Sequence, residues 1–212
     1  MINVIFDMDG TLLDTQKVYI DAWDYSGKLQ GIPGLGNDIP NVCGMNEEGW
    51  SSYLVNKYKE LDIEKFKAVV FRYVKENGSA EMKKGAKELL EFLKERNIKI
   101  ALASGSDRDA VIYNLKKAGC FLYFDEIVGG DEVECGKPAP DIFLLAAKRL
   151  NAKPSDCFVF EDSKNGIISG SKAGMKCIGV PDVAPFDEES KKLMLKELPS
   201  LKEGIDVLKE YI

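Results

Sequence analysis

The strongest constraint on this chain is a rhythm. A short apolar run, a polar break and a stretch with helical spacing recur along the sequence. The runs fall at residues 3–6, 98–103, 124–128, 157–160 and 176–180. Four to six apolar, partly β-branched residues between turn signals suit strands buried on both faces. Between the runs, Leu89, Leu90 and Leu93 follow Gly85, and Ile142, Leu145, Ala146 and Leu150 follow Pro138-Ala139-Pro140. Ile167, Ile168 and Ser171 precede Gly174, which fits a helix C-cap. Alternating strands and helices imply an α/β fold, a parallel sheet with helices on both faces.

One connection breaks the rhythm. Residues 16–80 contain no clear strand, although a crossover between parallel strands needs only a dozen or so residues. Val18, Ala22 and Trp23, then Trp50, Leu54 and Tyr58, then Phe66, Val69, Val70 and Tyr73 have helical spacing, with a loop at residues 31–36. The expected organisation is a core of residues 1–15 and 81–212 with a small helical domain, residues 16–80, inserted on two tethers. The tail, residues 187–198, leads to an amphipathic helix carrying Leu201, Ile205, Leu208 and Tyr211.

Composition narrows the chemistry. The 212 residues suffice for a full core and for one or two domains. The formal net charge of −6 argues against broad binding to nucleic acid or anionic membranes. There is no histidine, which excludes a Ser-His-Asp triad, a Cys-His dyad and any imidazole ligand. The five cysteines are odd in number and have no C-x-x-C spacing, so reduced thiols in a cytoplasmic protein are expected. No secretory leader and no run of transmembrane length is evident.

Ligands of open parallel sheets bind at the carboxyl ends of the strands. The first strand delivers Asp7-Met8-Asp9-Gly10-Thr11, the second Ser104-Gly105-Ser106, the third Gly136-Lys137-Pro138 after a short loop, and the fourth Glu161-Asp162-Ser163. Asp7 and Asp9 alternate, so continued strand geometry puts both on one face. Four converging acids call for a hard cation, and an all-oxygen shell selects Mg²⁺. Taken alone, D-x-D-G also reads as a turn, and Ser104-Gly105-Ser106 as either an anion seat or an N-cap.

Together these residues resemble the haloacid dehalogenase superfamily. Asp7-Met8-Asp9-Gly10-Thr11-Leu12-Leu13-Asp14-Thr15 is similar to its first motif, and Ser104 to its second. Lys137 in Gly136-Lys137-Pro138-Ala139-Pro140-Asp141 is similar to the third, and Phe160-Glu161-Asp162-Ser163 with Gly166 to the fourth. The nearest subgroup contains β-phosphoglucomutase and sugar-phosphate phosphatases. The resemblance implies a Rossmann-like core with an inserted α-helical cap. It makes Asp7 the nucleophile and Asp9 the general acid and base, with Ser104, Gly105 and Lys137 holding the phosphoryl group. Mg²⁺ would bind Asp7, Asp162 and the backbone carbonyl of Asp9, with Glu161 nearby. Asp9 argues for phosphoryl transfer, because an alkyl halide needs no proton on its leaving group.

The resemblance also divides phosphatase from mutase. The mutase has a histidine where this chain has Tyr19, and a phosphate-binding arginine in its cap loop where this chain has Glu47. The expectation is therefore a phosphatase for a small phosphorylated metabolite. A phosphomutase is the alternative; a phosphonate hydrolase using Lys17 and a non-catalytic phosphate-binding module are further ones. Lys17, Tyr19, Trp23, Asn46, Trp50 and Lys75 are candidates to face the site from the cap. Packing within the cap is the favoured reading for Trp23, Trp50 and Tyr73. The sequence fits a monomer without fixing an oligomeric state.

Overall fold

The computed structural model describes residues 2–212. Its sheet contains β1 (Asn3–Phe6), β2 (Lys99–Ala103), β3 (Glu126–Val128), β4 (Cys157–Glu161), β5 (Lys176–Gly179) and β6 (Met194–Glu197). The order is β3-β2-β1-β4-β5-β6, with every neighbouring pair parallel. The period-two alternation of the central strands divides the core. Val4, Phe6, Leu102, Phe158 and Phe160 point to one face, where they pack against Leu89 and Leu93 of α5 (Ala86–Glu95) and Val111 and Leu115 of α6 (Arg108–Lys117). Ile5, Ala101, Ala103 and Val159 point to the other, against Phe143 and Ala146 of α7 (Asp141–Arg149) and Ile167 of α8 (Lys164–Lys172). This is the α/β architecture expected from the rhythm and the Rossmann-like core implied by the resemblance.

β6 is the strand that the rhythm does not reveal. Its residues Leu195, Lys196 and Glu197 are exposed, so the edge lacks the apolar run that marks the inner strands. It shares the tail with α9 (Glu188–Leu193). The amphipathic segment that follows is a 3₁₀ turn, Leu201–Glu203, then α10 (Gly204–Lys209), which buries Leu201 and Leu208 on the core.

Between β1 and α5 lie α1 (Gln16–Leu29), α2 (Ile39–Val42), α3 (Glu47–Lys57) and α4 (Ile63–Asn77). The loop read at residues 31–36 is shorter than expected. A 3₁₀ turn already begins at Leu35 and runs into α2, whose Pro40 sits where a first-turn proline is favoured. These helices bury Ala22, Trp23, Leu35, Leu54 and Phe66 in a hydrophobic cluster of their own. The Trp23 ring meets Trp50 at 5.7 Å and Phe66 at 5.2 Å, so both tryptophans pack inside this cluster. The two chain passages into the insert run side by side: Asp14 N donates to Glu81 O and Lys83 N to Leu12 O, each at 2.9 Å.

Asp38 is the polar pin of the helical insert. It is 3% exposed and accepts hydrogen bonds from Tyr53 Oη at 3.0 Å, Tyr58 Oη at 2.7 Å and the Lys57 ammonium. Burial by itself would raise the Asp38 pKa, but the bonds from Lys57, Tyr58 and Tyr53 outweigh it and hold the carboxyl below its ordinary value. A depressed carboxyl contributes stability that is fully present above its unfolded pKa of about 3.9 and is lost as pH falls toward the folded value. Asp38→Ala should cost about 2 kcal/mol, since it strands several donors. It should also flatten the loss of stability below about pH 4. Urea unfolding as a function of pH measures both.

Candidate active site

The strand order reverses between β1 and β4, the place where open α/β sheets bind ligands. Phe6 pairs with Phe160, and Asp7 N continues the ladder to Phe160 O at 3.0 Å, so Asp7 and Glu161 leave the sheet side by side. Asp7, Glu161, Asp162 and Lys137 are all buried. Carboxylate oxygens of the three acids lie within 4.8 Å of one another. Lys137 Nζ donates to Asp7 Oδ1 at 2.6 Å, Glu161 Oε1 at 2.7 Å and Ala103 O at 3.1 Å, which uses all three of its protons. Glu161 Oε2 accepts from both Ser163 N and Ser163 Oγ at 2.8 Å. Thr11 Oγ1 donates to Asp162 Oδ1 at 3.2 Å.

The electrostatics follow from three buried acids sharing one ammonium. Burial pushes the Asp7 pKa up to about 7, with Lys137 pulling it down and Glu161 and Asp9 adding to the rise. Burial, then the charges of Glu161 and Asp7, hold Asp162 well above the ordinary carboxylate range. Burial works against the charged form of Lys137, but Asp7 and Glu161 overcome it and keep its pKa raised. The cluster is therefore short of positive charge. Asp7 Oδ2 and Asp162 Oδ2 take no part in the hydrogen bonds that fix the other oxygen of each. Open, all-oxygen donors beside excess negative charge fit a hard divalent cation.

Asp9 stands apart from the three-acid group. Its Oδ1 accepts from Thr15 Oγ1 at 2.6 Å, and its Oδ2 from Ser106 Oγ at 3.0 Å and Ser104 Oγ at 3.4 Å. Its backbone carbonyl, the atom expected to face a metal, accepts from Gln16 Nε2 at 3.1 Å. Burial raises the Asp9 pKa against the lowering effect of the Thr15, Ser106 and Ser104 hydroxyls. The strand geometry expected to carry Asp7 and Asp9 on one face ends at Phe6. A tight turn follows, closed by Gly10 N to Leu13 O at 2.9 Å and Leu12 N to Met8 O at 3.0 Å. Gly10 has φ +86°, and a Cβ there would overlap Asp162 Oδ2, so both conformation and space require glycine.

The family model for a haloacid dehalogenase-like hydrolase matches residues 3–174. The chain belongs to the haloacid dehalogenase-like hydrolases. A relative from Thermotoga maritima, "Phosphorylated carbohydrates phosphatase", is 36% identical over 82% of this chain and 82% of its own length. Another from Arabidopsis thaliana, "(DL)-glycerol-3-phosphatase 2", is 32% identical over 85% of this chain and 79% of its own. The crystal structure of β-phosphoglucomutase from Clostridium difficile is 27% identical, with a TM-score of 0.83 over 99% of this chain and 96% of that one. The enzyme class expected from the motifs, a phosphatase, is the class these curated relatives carry in their names.

In this hydrolase the inserted helices sit directly on the strand ends. A Cβ on Gly105 would meet Met45 O at 2.5 Å, and one on Gly136 would meet Asn46 Cγ at 2.6 Å. Asn165 Nδ2 donates to Cys43 O at 3.0 Å across the same seam. Asn46 reaches this seam while capping α3 through Gly49 N at 3.1 Å. Tyr19 lies close enough to Asp9 for that charge, after burial, to raise its pKa. Lys17 and Lys75 are exposed, and Glu47 pairs with Lys67 at 2.8 Å. Neither serine of 104–106 caps α6; its N-cap is Asp107, which makes no side-chain capping bond. Thr11, Thr15, Gln16 and Ser106 bind the site acids although the motif reading assigned them no role. Their only signal in the sequence is that they lie inside or beside the motif runs.

Gly166, in the first turn of α8, lies where a Cβ would overlap the Glu161 carboxylate. Gly166→Ala must displace one of the two acids that fix Lys137. The expected cost is about 1–3 kcal/mol, typical of overpacking a filled core. At this length that lowers the melting temperature by roughly 2–4 °C per kcal/mol, which calorimetry measures directly.

Proposed function

We propose that this hydrolase is a Mg²⁺-dependent phosphatase that cleaves the monoester of a small, sugar phosphate-like metabolite through an aspartyl-phosphate on Asp7. The observation that carries the reading is the pairing of two differently treated acids. Asp7 is held by Lys137 at 2.6 Å, while Asp9, two residues on, is half-buried among hydroxyls with its pKa raised. In this reading an Asp7 oxygen attacks phosphorus, and the bond from phosphorus to the leaving oxygen breaks. The electron pair stays on that oxygen, which takes a proton from Asp9. Asp9, now a carboxylate, accepts a proton from the water that hydrolyses the aspartyl-phosphate.

Lys137, Ser104 and the backbone at Gly105 would hold the phosphoryl oxygens. Lys137 reaches one of them by giving up one of its present bonds. Asp7, Asp162 and the Asp9 carbonyl would hold Mg²⁺, with Glu161 nearby. When bound, Mg²⁺ neutralises charge between nucleophile and phosphoryl group. Residues 16–80 act as a cap over a core of residues 1–15 and 81–212, and the two tethers let it open for substrate. The substrate is a free small molecule, not nucleic acid or membrane. No helix among the described residues is long and apolar enough to cross a bilayer. The reading places the enzyme in the cytoplasm and is compatible with a monomer without fixing the oligomeric state.

A phosphomutase is the second reading, favoured by the likeness to β-phosphoglucomutase. Tyr19 and Glu47 weigh against it. An acid paired with Lys67 offers no cation to a second phosphate. A free-phosphate screen over sugar phosphates, glycerol phosphate and nucleotides tests the proposal. Activity should vanish on chelation by EDTA, return with Mg²⁺, and fall at least about 10³-fold in Asp7→Asn. Rapid conversion of β-glucose 1-phosphate to glucose 6-phosphate, with its bisphosphate and without free phosphate, would overturn it in favour of the mutase.

A further inference from the structure

We infer that Ser106 is a positioning residue for Asp9: its hydroxyl anchors one carboxylate oxygen to the core and so aims the proton that the leaving oxygen receives. This rests on the phosphatase reading above. Asp9 lies on a turn, and its carboxylate has to be oriented by contacts from elsewhere in the chain. Two sides supply them. Thr15 Oγ1, on the passage into α1, holds Oδ1 at 2.6 Å; Ser106 Oγ, on the loop after β2, holds Oδ2 at 3.0 Å.

The two anchors differ in what stands behind them. Thr15 directly precedes α1 and belongs to the tether on which the cap would swing. Ser106 is built into the core. Its N–H donates to Ser104 Oγ at 3.1 Å, and its carbonyl accepts from Gly130 N at 2.8 Å, which ties it to the loop after β3. Ser104 Oγ also reaches Asp9 Oδ2, but at 3.4 Å. Ser106 therefore makes the shorter bond from the rigid side. Held at Oδ1 by Thr15 and at Oδ2 from the core by Ser106, the carboxyl has its plane fixed at both oxygens. The bond from Ser106 thus fixes where the carboxyl points.

A general acid matters in proportion to how badly the leaving group needs a proton. The alkoxide leaving from a sugar phosphate needs one, and the p-nitrophenolate leaving from p-nitrophenyl phosphate does not. In Ser106→Ala, kcat on glucose 6-phosphate should fall by about tenfold or more. The loss on p-nitrophenyl phosphate should be several times smaller, with KM for both nearly constant. Ser106→Thr, which restores the hydroxyl, should recover most of the activity on glucose 6-phosphate. Ser106→Cys keeps the size but is a weak donor, so it should behave like alanine and provides the measurement if Ser106→Ala folds poorly. Equal losses on both substrates, or no loss on either, overturn the inference. Asp7→Asn is measured alongside. If it retains turnover, the covalent phosphatase reading fails whatever Ser106 does. If it is inactive and Ser106→Ala lacks leaving-group dependence, only the role of Ser106 falls.

Discussion

The interaction on which the rest of the site depends is the ammonium of Lys137, held between Asp7 and Glu161 at 2.6 and 2.7 Å. Three acids crowd the carboxyl ends of two adjacent strands, and burial there disfavours the charges of Asp7 and Asp162. A lysine without exposure is costly by the same rule, unless it is paired and fully bonded. Each group makes the other tolerable. The pairing also explains why neighbouring backbone is so constrained. Gly10 must leave room for Asp162, Gly166 must leave room for Glu161, and Ser163 must turn both its N–H and its hydroxyl toward Glu161.

Much of this was legible from the sequence, and the part that was not has a physical cause. Five of the six strands, the four inner ones and β3, announce themselves because buried strand faces demand short apolar runs. β6 leaves Leu195, Lys196 and Glu197 exposed, so Met194-Leu195-Lys196-Glu197 carries no such run. The motif residues Asp7, Lys137, Glu161 and Asp162 could be assembled on paper because parallel strands end on one edge. What could not be assembled is side-chain direction within loops. Asp7 and Asp9 are two residues apart, which in a strand means one face. The chain instead turns after Phe6, so Asp7 joins Lys137 while Asp9 joins Thr15 and Ser106. Those hydroxyl partners come from positions 6 and 97 residues away, and no local pattern encodes the second of them.

The seam between core and insert is built from small residues. Gly105 and Gly136 leave space that Met45 O and Asn46 fill, and Gly44, at φ +81°, lies against Ser163. Side chains at these positions would hold the insert away from the strand ends. A seat of bare backbone allows close contact at the strand ends. The insert keeps its own core around Trp23, Leu54 and Phe66. In the proposed reading, such a self-contained insert would serve as the cap over the site.

The absence of histidine gives the geometry around Asp9 its meaning. Near neutral pH an imidazole can give and take protons unaided, whereas a carboxyl in water has already lost its proton. In the proposed reaction a carboxyl would take that part, and burial favours its protonated form by raising the Asp9 pKa. Burial alone would make a poor base for the second half of the reaction, since it disfavours the carboxylate that must form. The hydroxyls of Thr15, Ser106 and Ser104 oppose burial by stabilising that carboxylate. In the proposed reaction that opposition would set Asp9 between its two roles: desolvation would favour giving a proton, and the ring of hydroxyls would favour taking one back.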